Sequence, residues 1–210
     1  HFKSLKIKKK DNIIKPSNLL NFGIYHKNLP NLFIKSLLNL IGKDGTLVMP
    51  LYNLGLNKNK VINLKKDYNK KINSILSIYF FKNYKVAKSN SIFHSHIAFG
   101  KLKKIFLKSS FNSFGKNSDF DILHKNNFKL ILFGCDANEG CTYLHHIEHI
   151  LNVDYRYNKT FKFKILNNRK IVNIKTIYKV KKDKIRQNLN KLFFNYKIRK
   201  YTNLAKLKYG

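Results

Sequence analysis

The chain has 210 residues, 43% of them hydrophobic, and carries 43 Lys+Arg against 10 Asp+Glu for a net charge of +33. The apolar share excludes a disordered chain despite the charge, and the length suits one domain, residues 1–210, large enough to bury a core. No apolar run approaches the roughly 18 residues that span a bilayer, no signal-peptide pattern follows His1-Phe2-Lys3-Ser4, and two cysteines are too few for a disulfide framework.

The elements read as follows in chain order. Asp11 to Ile14 is a short apolar strand ending at Lys15-Pro16. Pro30 to Ile41 sets Leu32, Phe33, Leu37, Leu38 and Ile41 at helical spacing, with Pro30 near the start. Lys43-Asp44-Gly45 turns into a buried strand, Thr46 to Pro50. Residues 53–73 are polar and rich in Lys and Asn, and read as a surface lid or excursion. Ile75 to Phe81 is a short helix, Val86 to Gly100 a loop and strand dense in Ser, Asn and His, and Phe120 to Leu123 a helical turn. Phe128 to Gly134 reads as the clearest buried strand of the chain. A loop leads from it to a helix from Thr142 to Leu151, and a strand, loop and helix N-terminus is where open α/β folds place ligands. Phe161 to Ile165 and Ile171 to Val180 alternate around Asn167-Asn168 as a hairpin, and residues 182–195 form a further helix. The pattern implies an α/β fold, a central mixed sheet flanked by helices with a C-terminal β-hairpin region.

The charge admits two readings. One is a surface for nucleic acid or another polyanion. The other is drift in base composition. Only Arg156, Arg169, Arg186 and Arg199 are arginine, alanine is equally scarce, Trp is absent, and Lys, Asn, Ile, Phe and Tyr abound. A selected phosphate-binding surface favours Arg for its bidentate geometry, so drift is the stronger reading and nucleic acid is not the expected partner. A cationic surface nevertheless attracts anionic ligands.

The chemistry concentrates in Thr142, His145 and Glu148. Residues three apart share a helix face, so a hydroxyl, an imidazole and a carboxylate stand in one row. Acyl transfer to an amine needs such groups. Histidine, with an unperturbed pKa of about 6.5, removes a proton near neutrality; a carboxylate one turn away fixes its tautomer; a hydroxyl and free N–H groups at a helix N-terminus stabilise developing oxygen charge. His145 and His149 stand at i and i+4, yet Glu148 is misplaced for the short zinc motif, and Cys135 and Cys141 add no ligand spacing, so no metal is expected. The loop Gly134 to Gly140 matches no nucleotide fingerprint; its Asp136 and Glu139, rare acids in a basic chain, are candidates for holding a cationic group.

Four segments in order carry a resemblance. They are Asp11 to Gly23; Leu37 to Pro50, with Gly42-Lys43-Asp44-Gly45-Thr46-Leu47-Val48-Met49-Pro50; Lys88-Ser89-Asn90 through His94-Ser95-His96-Ile97-Ala98-Phe99-Gly100; and Phe114-Gly115 with Ser118 to Leu123 and Leu130 to Glu148. Together they resemble the aminoglycoside 3-N-acetyltransferase (antibiotic N-acetyltransferase) family. The chain reads as a nearly complete member, with the lid and extreme C-terminus trimmed; its tail Tyr201 to Gly210 matches loosely. Since His1 is not Met, the chain is a fragment or its true start lies upstream.

The resemblance implies an antibiotic N-acetyltransferase-like fold and acetyl-CoA-dependent acetylation of an aminoglycoside or related amino-sugar. His145 is the implied general base, Glu148 its orienter, and Thr142 lies near the acyl oxygen. It implies coenzyme A contacts at Ser17, Asn18, Lys88, Ser89, Asn90, His94 and Ser95. Pro16 falls where many members carry His, and Ser91-Ile92 where His-Pro is usual. A cytoplasmic location is expected, and a homodimer is left open. The readings from other classes are a basic nucleic-acid-binding protein and a catalytically degenerate paralogue of the same fold.

Overall fold

The computed structural model describes residues 5–23, 26–57, 59–167 and 169–182. Five strands form a mixed sheet in the order β3-β4-β2-β1-β5: β1 Asn12–Ile14, β2 Thr46–Pro50, β3 Ala87–Lys88, β4 His96–Gly100 and β5 Lys129–Leu130. β1 runs parallel to β2 and β5, while β2 and β3 both pair antiparallel with β4. A two-stranded antiparallel hairpin, β6 Arg156–Asn167 and β7 Lys170–Lys181, forms a second sheet. This is the expected α/β architecture of a mixed sheet, flanking helices and a C-terminal hairpin, and the hairpin is longer than the alternation alone marks.

The sheet is buried on both faces because its strands alternate between two clusters. Ile13, Leu47, Met49 and Ile97 point to one side, where α1 (Leu29–Ile41) contributes Ile34, Leu37 and Ile41, and α2 (Ile75–Asn83) contributes Leu76 and Phe80. Ile14, Val48 and Ala98 point to the other, against Phe106, Phe114, Phe120 and Leu123. Each of these Val, Leu, Ile, Met and Phe side chains contributes about 1.5–3 kcal/mol of burial.

Local signals set the helix ends. α1 opens with Pro in its first turn and stops at Gly42. Ser74 caps α2 by accepting from the Ser77 amide at 3.2 Å. Ser118 caps α3 (Asp119–Lys125) in the same way, with Asp119 and Asp121 at its positive end and His124 and Lys125 at its negative end. The helix expected over 182–195 lies almost wholly outside the described residues, as does the tail 201–210. Among the described residues no helix is long and apolar enough to cross a membrane.

Two expectations are corrected. The apolar run Phe128 to Gly134 is an edge strand among the described residues, regular only at Lys129–Leu130. Its neighbour changes at Pro16, which has no N–H to extend the ladder, so pairing resumes only as a lone bridge between Ser17 and Phe133. The described part of 53–73 is irregular, but it is tied down at its centre. Ile62 bridges Ile165 of β6, and Ile62 and Leu64 are buried in a third cluster with Phe163 and Ile165.

Gly100 ends β4 at φ +114°, and a Cβ there would collide with the Gly45 carbonyl oxygen and stand 2.9 Å from Thr46 Cα. Both obstacles are backbone. Gly100→Ala is expected to cost about 2–4 kcal/mol and lower the midpoint of chemical unfolding, with little change in its slope.

Candidate active site

After β5 the chain turns through Gly134 into α4 (Ala137–Gly140), then into α5 (Tyr143–Ile150). Asp136 is the N-cap of α4, its carboxylate accepting from the Glu139 amide at 3.0 Å. Gly140 lies where a Cβ would meet Leu132 Cδ2 at 2.6 Å, Cys135 Sγ at 2.9 Å and Pro16 Cγ at 3.3 Å. That close packing holds the entry to α5 against the end of β1.

α5 places His145 and Glu148 on one face. His145 Nδ1 lies 2.8 Å from Glu148 Oε2. The hairpin supplies the rest of the cluster. Arg156, at the start of β6, sets Nε 2.6 Å from Glu148 Oε2 and Nη2 3.0 Å from His145 Nδ1, while its Nη1 donates to the Lys179 carbonyl at 3.2 Å. Tyr155 donates its hydroxyl to Glu148 Oε1 at 2.9 Å. Nδ1 thus faces both a carboxylate and a guanidinium. The carboxylate decides the tautomer, because an ionised oxygen at 2.8 Å facing a lone pair is repelled, whereas Arg156 has Glu148 and the Lys179 carbonyl as other acceptors. Nδ1 therefore carries the proton and Nε2 keeps its lone pair. Burial and the Arg156 charge push the His145 pKa below 6.5, opposed by the Glu148 contact. The imidazole is neutral at pH 7 and, with 26% of its side chain exposed, accessible.

A cleft of about 350 Å³ opens beside the N-terminus of α5. Ser17, Asn18, Tyr52, Lys71 to Ser74, Glu139 and Thr142 are among its lining residues. Burial pushes the Tyr52 hydroxyl well above its usual range, against a hydrogen bond with Thr142. Asn18 also caps the 3-10 turn Leu19–Phe22. Of the residues singled out from sequence, the structure brings Ser17, Asn18, Thr142 and Glu139 to this cleft, and His145 and Glu148 together one turn further along α5.

The segment from Lys88 to Ser95 is placed differently. Lys88 is buried, and its Nζ donates to the carbonyls of Leu64 at 2.7 Å and Asp67 at 2.9 Å and to Asn53 Oδ1 at 3.3 Å. Burial lowers its pKa to about 8, opposed by Asp119 and Asp67. It pins the 53–73 segment to β3 and does not line the cleft. Ser89 donates to Asp119 Oδ2 at 2.5 Å, and His96 Nδ1 lies 2.8 Å from the same oxygen. Ser95 donates to the Leu51 carbonyl at 2.5 Å, and Asn90 donates to the Leu107 carbonyl at 2.8 Å. His94 is buried, stacked on Tyr178 at 5.6 Å and edge-on to Tyr52 at 4.8 Å. The polar character of this stretch serves a buried network, in which each hydroxyl or amide is held by a partner inside the fold.

The remaining histidines of α5 are packing groups. His146 accepts from the Gly115 amide at 3.3 Å, and burial lowers its pKa to about 4. The His149 ring lies 2.7 Å from where a Cβ on Gly115 would sit. Sequence reading missed Arg156, Tyr155 and Tyr52. The signal for Arg156 was its rarity, one of four arginines among 43 basic residues.

The solved structure of YokD from Bacillus subtilis superposes with a TM-score of 0.75 at 20% identity, over 85% of this chain and 78% of that one. AAC-IIIb in a binary complex with CoASH gives 0.78 at 14%, over 95% and 81%. Sisomicin-bound AAC-VIa gives 0.72 at 12%, over 85% and 73%. The fold is therefore that of an aminoglycoside acetyltransferase. The model of the aminoglycoside 3-N-acetyltransferase family matches residues 17–206, and the chain belongs to that family of acetyltransferases. A comparison with curated protein sequences finds no match.

Two outcomes are expected. Lys88→Met leaves three acceptors without their cation at a cost of about 1–3 kcal/mol, and tryptic cleavage within 60–71 should become faster while the hairpin stays protected. His94 and His146 have pKa values lowered by burial to about 3 and about 4 from 6.5. The folded state binds fewer protons than the unfolded chain between those values and 6.5. Stability is full above pH 6.5 and falls as the pH drops toward 4, which thermal melts from pH 7.5 to 4.5 measure.

Proposed function

We propose that the protein is an acetyl-CoA-dependent N-acetyltransferase that acetylates an amino group of an aminoglycoside or related amino-sugar, with His145 as general base. The observation that carries this reading is the His145–Glu148–Arg156 cluster, a neutral imidazole oriented by a buried carboxylate one helical turn from a cleft wall bearing Thr142.

The cleft suits the donor: Pro16, Leu19, Leu20 and Ile75 give it apolar lining, and Ser17 and Asn18 are polar groups to hold an amide-bearing arm. Acetyl-CoA supplies an acetyl thioester there. His145 Nε2 takes a proton from the acceptor amine as its nitrogen bonds to the acyl carbon, and the same proton is available to the departing thiolate as the C–S bond breaks. Glu148 holds Nδ1–H and stabilises the imidazolium that forms, and Tyr155 and Arg156 fix Glu148. Thr142 lies within the cleft, where its hydroxyl donates to the acyl oxygen. Arg156 disfavours the imidazolium, which keeps His145 deprotonated at rest. AAC-IIIb in its binary complex with CoASH supports the choice of donor, and sisomicin-bound AAC-VIa the choice of acceptor class.

The test is thiol release from acetyl-CoA with a panel of amino-sugars. His145→Ala is expected to lower kcat by about 10²–10⁴ while leaving coenzyme A affinity unchanged. Glu148→Gln removes the contact that raises the His145 pKa, so the acid limb of kcat/KM should move to lower pH as the plateau falls. Turnover that survives His145→Ala at the wild-type rate sinks the assigned base.

A further inference from the structure

Tyr52 lines the cleft and takes no part in the proton transfer at His145. The chain around it holds it firmly just beyond the end of β2. Its amide donates to Asn73 Oδ1 at 2.6 Å, and its carbonyl accepts from Asn73 Nδ2 at 2.8 Å and from the Asn69 amide at 3.1 Å. The ring stands edge-on to two buried imidazoles, His94 at 4.8 Å and His96 at 5.7 Å. Its hydroxyl and that of Thr142 meet in a hydrogen bond, and Thr142 lines the same cleft. Thr142 is the residue before α5, yet its hydroxyl does not cap that helix.

Acidity sets the direction of the bond. A phenol is a stronger acid than an aliphatic alcohol and the better donor. Burial, with the Asp119 carboxylate adding to it, pushes the Tyr52 pKa up, so the phenol keeps its proton through the neutral range. Tyr52 therefore donates to Thr142 Oγ, and the one proton of Thr142 is left to point elsewhere. We propose that Tyr52 is a positioning residue for the acyl oxygen: it fixes the Thr142 hydroxyl as a donor aimed into the cleft and strengthens that donor through a two-link chain of hydrogen bonds. This rests on the acetyl-transfer reading and deepens it. As the amine adds to the acyl carbon, the carbonyl electron pair moves onto the acyl oxygen, which accepts from Thr142. The pair returns as the C–S bond breaks and the thiolate departs. Tyr52 gives up no proton at any stage. Its contribution grows with the charge on the acyl oxygen, so it falls on the transition state and not on donor binding.

The experiment compares Tyr52→Phe, Thr142→Ala and the double variant in thiol release, with coenzyme A affinity and thermal melting measured beside them. Tyr52→Phe keeps the ring against His94 and His96. It is expected to lower kcat by about tenfold to thirtyfold, with coenzyme A affinity within about twofold and the acid limb set by His145 unmoved. Thr142→Ala lowers kcat by about a hundredfold, and adding Tyr52→Phe to it costs nothing more. Thr142→Ser, which keeps a hydroxyl, restores both the rate and its dependence on Tyr52. Wild-type kcat in Tyr52→Phe overturns the proposal. So does a Tyr52→Phe loss of equal size with and without the Thr142 hydroxyl, because Tyr52 then does not act through it. A readout that needs no acceptor separates this from the acetyl-transfer reading. The infrared carbonyl stretch of isotope-labelled acetyl-CoA bound to the full chain should lie lowest in the wild type and highest in Thr142→Ala, with Tyr52→Phe between. That order supports the hydroxyl pair even where no amino-sugar is acetylated. A stretch unmoved by Tyr52→Phe, or acetyl-CoA that does not bind, overturns it.

Discussion

The carboxylate of Glu148 is held from three directions, by an imidazole on its own helix, by Tyr155 on the turn that follows, and by Arg156 at the root of the hairpin. Each contact alone is modest. Together they join α5 to the hairpin at the point where the imidazole must be aimed. Taking the acid away would strand a guanidinium that is almost fully buried, and taking Arg156 away would strand the acid. The position of His145 is therefore as firm as the junction between α5 and the hairpin.

Around that junction the interior is unusually polar. His94, His96, His146 and Asp119 lie buried between the sheet and α5, cushioned by Phe114, Phe120 and Tyr178. His94 and His146 are tolerated because they stay neutral, and burial itself enforces neutrality. Aromatic faces surround the imidazoles, so their orientation is set by packing as much as by hydrogen bonds. The core thus transmits rigidity to α5.

Much of this was legible in the sequence. β2 is bounded by Gly45 and Pro50, and its apolar run leaves no other reading. α1 carries its start and stop in Pro30 and Gly42. The Thr142, His145, Glu148 spacing indicated a row on one helix face, and the imidazole and carboxylate do meet. Other features were hidden for physical reasons. Phe128 to Gly134 has the composition of a central strand, but hydropathy does not say which neighbour a strand has, and Pro16 disrupts the one it has among the described residues. Lys88 and Ser89 look like ligand-binding residues because the same chemistry that grips a cofactor also satisfies buried carbonyls and carboxylates. Arg156 is eight residues beyond Glu148 in sequence, and no periodicity links the end of a helix to the start of a strand that folds back over it.

The chain's preference for lysine gives Arg156 a particular vulnerability. Elsewhere an arginine codon can slide to a lysine codon through one base change with little effect, since a solvated ammonium serves as well as a solvated guanidinium. At this position one ammonium nitrogen would have to reach both Glu148 and the Lys179 carbonyl, which two separate guanidinium nitrogens now hold. The commonest substitution that such a base composition produces is here one the enzyme cannot absorb. A lineage drifting toward lysine would lose its acetyl transfer at residue 156 while still folding nearly as before.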